Sequence, residues 1–189
     1  MDFLSRIDIW LFQWFNSWAG ISYFFDWAII FRATYILYII VMVAVSFLAV
    51  SLLFPRFKSY RRRNIEFFVF VSVATLIARF GITELIRMFY NRPRPFEVLD
   101  GVVQLVNHSG GGSFPSGHAT FSFALATAII FYYPKTGILF LLAAFSIGMG
   151  RIAAGLHWPS DVLVGALIGV GTALFLRFIL RRKLWIREP

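Results

Sequence analysis

Apolar residues fill this chain in long blocks, and polar residues gather where the blocks end. Ala33 to Phe54 is uninterrupted apolar sequence and predicts a first transmembrane helix, since about 20 such residues are needed to cross a bilayer. Pro55 ends it. Ile65 to Phe89, Ser116 to Tyr133, Ile138 to Ala154 and a helix from Pro159 through Leu180 predict further crossings, with Pro134 to Gly137 as a tight turn between the third and fourth. Ahead of them, Ile7, Trp10, Leu11, Trp14, Phe15 and Trp18 recur at helical spacing until Gly20, behind a candidate capping box of Ser5 and Asp8. That Trp-rich stripe suits a helix lying in the membrane interface, or one packed on neighbouring spans. Ile21 to Phe31 is too short to cross, carries Asp26 and ends at Arg32, which predicts an interfacial or re-entrant piece.

The pattern predicts an all-α fold: a polytopic membrane helix bundle of about five transmembrane helices plus an N-terminal interfacial helix. Residues 1–32 form the amphipathic segment, 33–183 the membrane-embedded domain and 184–189 a cytoplasmic tail. Met1 to Arg6 is not followed by a signal-peptide core with a cleavage site, so insertion is expected to rely on uncleaved spans.

Charge changes the picture by fixing orientation. The net charge of +9 invites a nucleic-acid partner, but the basic residues cluster beside apolar blocks. Arg56, Lys58, Arg61, Arg62 and Arg63 follow the first span, and Arg177, Arg181, Arg182, Lys183 and Arg187 close the chain. Both runs are expected in the cytoplasm, which leaves nucleic acid without support. The chain has no cysteine, so a disulfide frame, a thiolate metal site and a thiol nucleophile are excluded. Arg79, Glu84 and Arg87 lie inside the second span, where a charge is costly enough that pairing or function is expected.

With the basic runs inside, Arg87, Arg92, Arg94, His118, Arg151, His157 and Asp161 all fall at outward-facing helix ends, although they come from three parts of the sequence. At Pro115-Ser116-Gly117-His118 a long polar connection, Asn91 to Phe114 with Gly110-Gly111-Gly112, becomes an apolar helix. Ser116 can cap it, and Gly117 lets an anion approach backbone N–H groups that lack intrahelical partners. An ordinary cap with a snorkelling histidine is the alternative. Arg87 and Arg94 flank a proline-broken helix end, and guanidinium forks match phosphate oxygens. Arg92 reads as a solvated loop charge. His157 and Asp161, four residues apart, share one helix face, so the carboxylate can accept the imidazole Nδ1–H and leave Nε2 free as a lone-pair donor. A cap with a core histidine is the alternative here. Glu84, Glu97, Asp100 and Asp161 are spread over distant segments, so no metal site and no cofactor is expected.

These residues resemble a three-part pattern: a basic residue, six residues, then Arg-Pro; later Pro-Ser-Gly-His; then Ser-Arg, five residues, His, three residues, Asp. The parts read Arg87 with Arg94-Pro95, then Pro115-Ser116-Gly117-His118, then Gly150-Arg151 with His157 and Asp161. The chain therefore resembles the type-2 phosphatidic acid phosphatases, membrane lipid phosphatases that share their site with vanadium haloperoxidases. The resemblance implies that His157 is a nucleophile forming a phospho-histidine, that Asp161 orients it, and that His118 protonates the leaving oxygen. It also implies that Arg87, Arg94, Ser116, Gly117 and Arg151 hold the phosphate. Two positions depart from the pattern: Arg87 replaces a lysine and Gly150 a serine.

The short build, the Trp-rich first helix and His108 ahead of Pro115 are most similar to bacterial undecaprenyl-diphosphatases, which work on the outer leaflet of the plasma membrane and recycle the lipid carrier of peptidoglycan synthesis. His108 would meet a second phosphate or order its loop. A phosphatidate or phosphatidylglycerophosphate phosphatase is the runner-up among lipid substrates. An anion transporter or channel is a reading of another class, but it needs polar residues across the whole membrane, and the inner halves of the third and fifth spans are almost purely apolar.

Overall fold

The computed structural model describes residues 3–54, 59–108 and 111–184, and within them the chain is helical without strands. Pro55, Arg56 and Lys58 of the first basic run, Gly110 of the glycine run, and residues 185–189 with Arg187 lie outside the described residues. We label the helices α1 (Phe3–Asn16), α2 (Tyr23–Leu53), α3 (Arg61–Phe89), α4 (Pro95–Val98), α5 (Gly117–Ile130), α6 (Pro134–Ala153) and α7 (Pro159–Leu184). Four of them, α2, α3, α6 and the Pro159–Leu180 part of α7, are long and apolar enough to cross a membrane, and α5 is a shorter apolar helix among them.

The expected break near Arg32 does not occur. The piece Ile21 to Phe31 is instead the first part of α2, which runs continuously through a π-helical turn at Phe31–Tyr35. Asp26 does not interrupt it, because its carboxylate accepts the Gly20 N–H at 2.7 Å and sits in the first turn. A second π turn, Ile77–Ile82, lies in α3. Its i→i+5 geometry aligns Arg79 with Glu84, and the two form an ion pair that extends to Arg87 at 3.4 Å. The charges inside this span are thus paired with one another, as their cost demands. The turn expected at Pro134 to Gly137 is the first turn of α6, and the reversal is made by Phe131–Tyr133. Proline at the first position of a helix sacrifices no hydrogen bond, so Pro134 starts α6 as readily as it would close a loop.

In α1 the helix begins before Ser5, and Asp8 does not cap it: its carboxylate is used across the molecule, on Arg92 and on Ser160 in the first turn of α7. Ile7, Trp10, Trp14 and Trp18 are exposed, while Asp8, Phe12 and Asn16 face the bundle. Two polar residues, Asp8 and Asn16, are thus buried beside Phe12, while large apolar side chains are left outward, which suits an apolar interface. Asn16 fixes the end of α1 by donating to Val103 O and Ala153 O, both at 2.9 Å, and accepting from Val103 N at 3.0 Å. Phe12 packs on Trp158 with ring centroids 5.4 Å apart.

The core lies between α3, α5, α6 and α7, with Phe67, Phe70, Leu125, Ile129, Phe140, Ile147 and Ala173 buried together. At the end that carries Arg61–Arg63, Phe47, Phe67, Tyr132 and Tyr133 stack edge to face, and the Tyr133 hydroxyl donates to Asn64 Oδ1 at 2.9 Å. Glycines set the α5–α7 contact. A Cβ on Gly165 would meet Ser116 O at 2.7 Å, and one on Gly169 would meet Thr120 O at 2.4 Å and Ala124 N at 2.8 Å. Backbone atoms cannot step aside, so only glycine lets the two helices approach this closely. Gly169→Ala is therefore expected to cost about 1–3 kcal/mol by overpacking, read as a lowered unfolding temperature in detergent. An unchanged temperature would show that the helices have room to part.

Candidate active site

The close contact of α5 and α7 brings two helix starts together. Ser116 N donates to Asp161 O at 3.0 Å, so the beginning of α5 is tied to the first turn of α7. His157 precedes that turn and is 1 % exposed. Its Nδ1 lies 3.5 Å from Asp161 Oδ2, at the outer edge of a hydrogen bond, and has no nearer partner. The same Oδ2 accepts the Trp158 N–H at 2.9 Å, which holds Asp161 as a cap on its own helix. The i,i+4 relation expected from the sequence is present. The imidazole and carboxylate face each other in the geometry that tightens when the ring gains charge.

Arg94 is 2 % exposed and is held by carbonyls: Nη1 donates to Leu156 O at 2.9 Å, Nε to Gly111 O at 3.1 Å and Nη2 to Gly112 O at 3.3 Å. Nη1 also lies 3.5 Å from His157 Nε2. Its backbone is set by the short α4, where Pro95 opens the helix and Glu97 accepts the Arg94 N–H at 2.7 Å. Arg87 Nη2 donates to Pro115 O at 2.9 Å, joining the end of α3 to the start of α5. Arg151, 3 % exposed, reaches the last turn of α6 with only a 3.5 Å contact to Ala33 O.

The charges of these groups bear on one another. Burial, followed by Arg151, Arg94 and Arg87, pushes the His157 imidazole well below its usual value, with the Ser113 backbone acting the other way. Burial lowers His108 as well, with Arg94, Arg151 and Arg87 adding to it. His118 lies within electrostatic reach of Arg151, His157, Arg79 and His108. Burial and Arg87 also lower the Arg94 guanidinium. The site is a crowd of cations short of an anion. Among the described residues, buried side-chain atoms without a hydrogen-bond partner include Arg87 Nε, Arg151 Nε, Ser116 Oγ, His108 Nδ1 and His157 Nδ1. A buried polar atom without a partner is costly, and a phosphate offers several acceptor oxygens to such a set.

Ser116 is the N-terminal cap residue of α5 by position, but its hydroxyl bonds no backbone N–H. One departure from the motif, Gly150, and one motif glycine, Gly117, have local steric reasons. A Cβ at Gly150 would lie 2.8 Å from Ala33 N and from Arg32 Cβ, so the α2 backbone occupies the space a serine would need. A Cβ at Gly117 would lie 2.5 Å from Arg79 Nε, so Arg79 packs onto the start of α5.

Arg92 corrects the sequence expectation. It is no solvated loop charge: it pairs with Asp161 and with Asp8, both at 2.7 Å, and its guanidinium stacks on the Trp158 ring at 5.0 Å. Burial opposes its charge, but the Asp8 hydrogen bond and the Asp161 carboxylate outweigh burial and hold it above the ordinary guanidinium value. The signal in the sequence was Asp8, the one carboxylate of α1, set among Ile7, Ile9 and Trp10.

Comparison with known proteins agrees with this geometry. The chain is 30% identical over 171 residues to the bacitracin transport permease protein BcrC of Bacillus licheniformis, covering 90% of this chain and 79% of that one. It is 37% identical over 105 residues to undecaprenyl-diphosphatase BcrC of Bacillus subtilis, covering 55% of this chain and 54% of that one. The crystal structure of Aquifex aeolicus LpxE superposes with a TM-score of 0.67 at 26% identity, covering 90% of this chain and 94% of that one. The PAP2 superfamily model matches residues 67–185, more than half of the chain and all three parts of the motif. The chain therefore belongs to the PAP2 superfamily, as a multi-pass membrane phosphatase.

Proposed function

We propose that the chain is an undecaprenyl-diphosphatase: it removes the terminal phosphate of undecaprenyl diphosphate at the extracytoplasmic face of a bacterial plasma membrane and so returns the cell-wall lipid carrier to use. The observation that carries the reading is the set of unpartnered buried atoms on Ser116, Arg87 and Arg151, beside His157, where α3 and α6 end and α5 and α7 begin. The likeness to undecaprenyl-diphosphatase BcrC supports the substrate. So does His108, a further unpartnered imidazole near the same arginines, suited to a second phosphate. Arg61–Arg63 at the opposite end of α3 support the orientation, because basic runs stay in the cytoplasm.

In this mechanism His157 Nε2 attacks the terminal phosphorus while Arg87, Arg94, Arg151, Ser116 and the Gly117 N–H hold its oxygens. Arg94 beside Nε2 presents the phosphate to the nucleophile. The bond from phosphorus to the bridging oxygen breaks, and His118 gives that oxygen a proton. Asp161 accepts the Nδ1–H and stabilises the charge that forms on the ring. Water then attacks phospho-His157, His118 takes the proton, and inorganic phosphate leaves. No metal is required: the nearby carboxylates are committed, Asp161 to Arg92 and Glu84 to Arg79 and Arg87, and the arginines neutralise the developing charge. One relative is described as a transport permease, but the middle of this bundle is filled by Phe67, Phe70, Leu125, Ile129, Phe140 and Ile147, which offer an anion no path.

The test is phosphate release by the purified chain, with EDTA present, from undecaprenyl diphosphate, phosphatidate and phosphatidylglycerophosphate. The diphosphate should be cut fastest and EDTA should not matter. A preference for either monoester overturns the substrate, and loss of activity in EDTA overturns the metal-free route.

The pH dependence gives a second check. A histidine shifted downward stays neutral, and nucleophilic, as pH falls through its ordinary value of 6.5. The acid limb of kcat/KM, which reports the free enzyme, is expected below that pH. A midpoint at or above it would mean that burial and the neighbouring arginines do not hold the ring neutral.

A further inference from the structure

The N-terminal helix α1 contributes one charged side chain to the bundle, and the contacts of that side chain lead to the candidate site. Asp8 Oδ1 accepts the Ser160 N–H at 2.9 Å, and Oδ2 accepts the Ser160 hydroxyl at 2.6 Å and Arg92 Nη2 at 2.7 Å. Arg92 Nη1 donates to Ser160 Oγ and to Asp161 Oδ1, both at 2.7 Å. Asp161 is 0 % exposed, and its other oxygen faces His157. Asp8, Arg92, Asp161 and His157 therefore form an unbroken row that starts on α1 and ends at the imidazole.

Anchoring α1 does not require this row. Phe12 against Trp158 and the three hydrogen bonds of Asn16 already fix the helix by packing and by neutral contacts. A second buried carboxylate is an expensive way to add a contact. What it does add is aim. A carboxylate turns about its last side-chain bond unless both oxygens are engaged. Arg92 engages Oδ1 while the Trp158 N–H engages Oδ2, so the carboxylate is held with Oδ2 toward His157 Nδ1. Arg92 is itself a long side chain with many rotamers. It is clamped between Asp8 at one edge, Ser160 and Asp161 at the other and the Trp158 ring on its face, and Trp158 is steadied by its indole N–H to Pro93 O at 3.0 Å.

We propose that Arg92 and Asp8 are positioning residues for phosphoryl transfer: Asp8, delivered by the N-terminal helix, holds Arg92 on Asp161 so that Asp161 orients His157. The proposal rests on the reading of His157 as the nucleophile. Neither residue touches the phosphate, so both act on the rate of transfer and leave substrate binding nearly unchanged.

The test uses the full chain in detergent with the lipid it turns over fastest. Arg92→Gln is expected to lower kcat about 100-fold, the scale of a misplaced reacting group. Asp8→Asn is expected to lower it about tenfold, the scale of one charged hydrogen bond. KM should stay near the wild-type value, and Arg92→Lys should fall between Gln and wild type. Because Asp8 acts through Arg92, Asp8→Asn should cost little more once Arg92→Gln is present. Single-turnover formation of the phosphoenzyme should slow by the same factors. Wild-type kcat in Asp8→Asn, losses that simply multiply in the double variant, or a raised KM with unchanged kcat would each overturn the proposal. Should Arg92→Gln fail to fold, the near-isosteric Asp8→Asn, checked by its unfolding temperature, decides alone. A His157→Ala control separates the two claims. If it remains active, the reading of the nucleophile fails and the proposal with it. If it is dead while Asp8→Asn and Arg92→Gln run at full speed, the positioning claim alone fails.

Discussion

His157→Ala is expected to lose phosphate release by about 10⁴-fold or more, the scale on which enzymes lose a nucleophile that acts as part of a unit. The ring is 1 % exposed, and nothing else on the turn before α7 offers a lone pair to phosphorus, since Leu156 and Trp158 flank it. The fold should survive. The turn is fixed by its backbone, with Leu156 N on Arg151 O at 3.1 Å and Asp161 N on Trp158 O at 3.0 Å, and by the Asp161 cap on Trp158 N. Phosphate release and the unfolding temperature measured on the same preparation give the answer. Activity within tenfold of wild type would remove His157 from the reaction.

Arg94→Lys should be the next most damaging change, although it keeps the charge. The guanidinium serves three carbonyls that point at it from different directions, Leu156, Gly111 and Gly112, and still has an edge toward His157 Nε2. An ammonium has three donors on one atom and cannot span that set. Each buried carbonyl left unpaired costs about 1–3 kcal/mol, so stability falls as well as rate. The expected loss in kcat/KM is about 100- to 1,000-fold, comparable to removing one preorganised donor from a transition state. A Lys variant with near-normal kcat/KM would mean that the fork is structural only, and that Arg87 and Arg151 hold the phosphate by themselves.

The site was legible because its residues lie at helix ends, and helix ends are what apolar blocks, prolines and glycines mark. The spacing of His157 and Asp161 already implied a shared face, whereas Pro95 read as the break after a helix and the short helix that it opens was not seen. Arg92 was not legible. Its partners lie 69 and 84 residues away, so the local sequence showed only a charge between Asn91 and Pro93. The continuity of α2 was hidden for a similar reason: Asp26 and Arg32 look like interruptions until the contact with Gly20 N and the π turn are seen. Gly165 and Gly169 gave no signal of their own, because a glycine in an apolar helix acquires meaning only when the neighbouring backbone arrives.

Helix α5 has 14 residues, a rise of about 21 Å at 1.5 Å per residue, against about 30 Å of hydrocarbon. Its far end is held by the aromatic and Asn64 contacts of Tyr132 and Tyr133, and its near end carries Ser116 and His118. Under the proposed function, the reacting phosphorus would meet its histidine beneath the level of the surrounding headgroups. Water-soluble phosphate esters have no tail to draw them down. On that reading, depth as well as phosphate chemistry would select esters that carry a lipid tail.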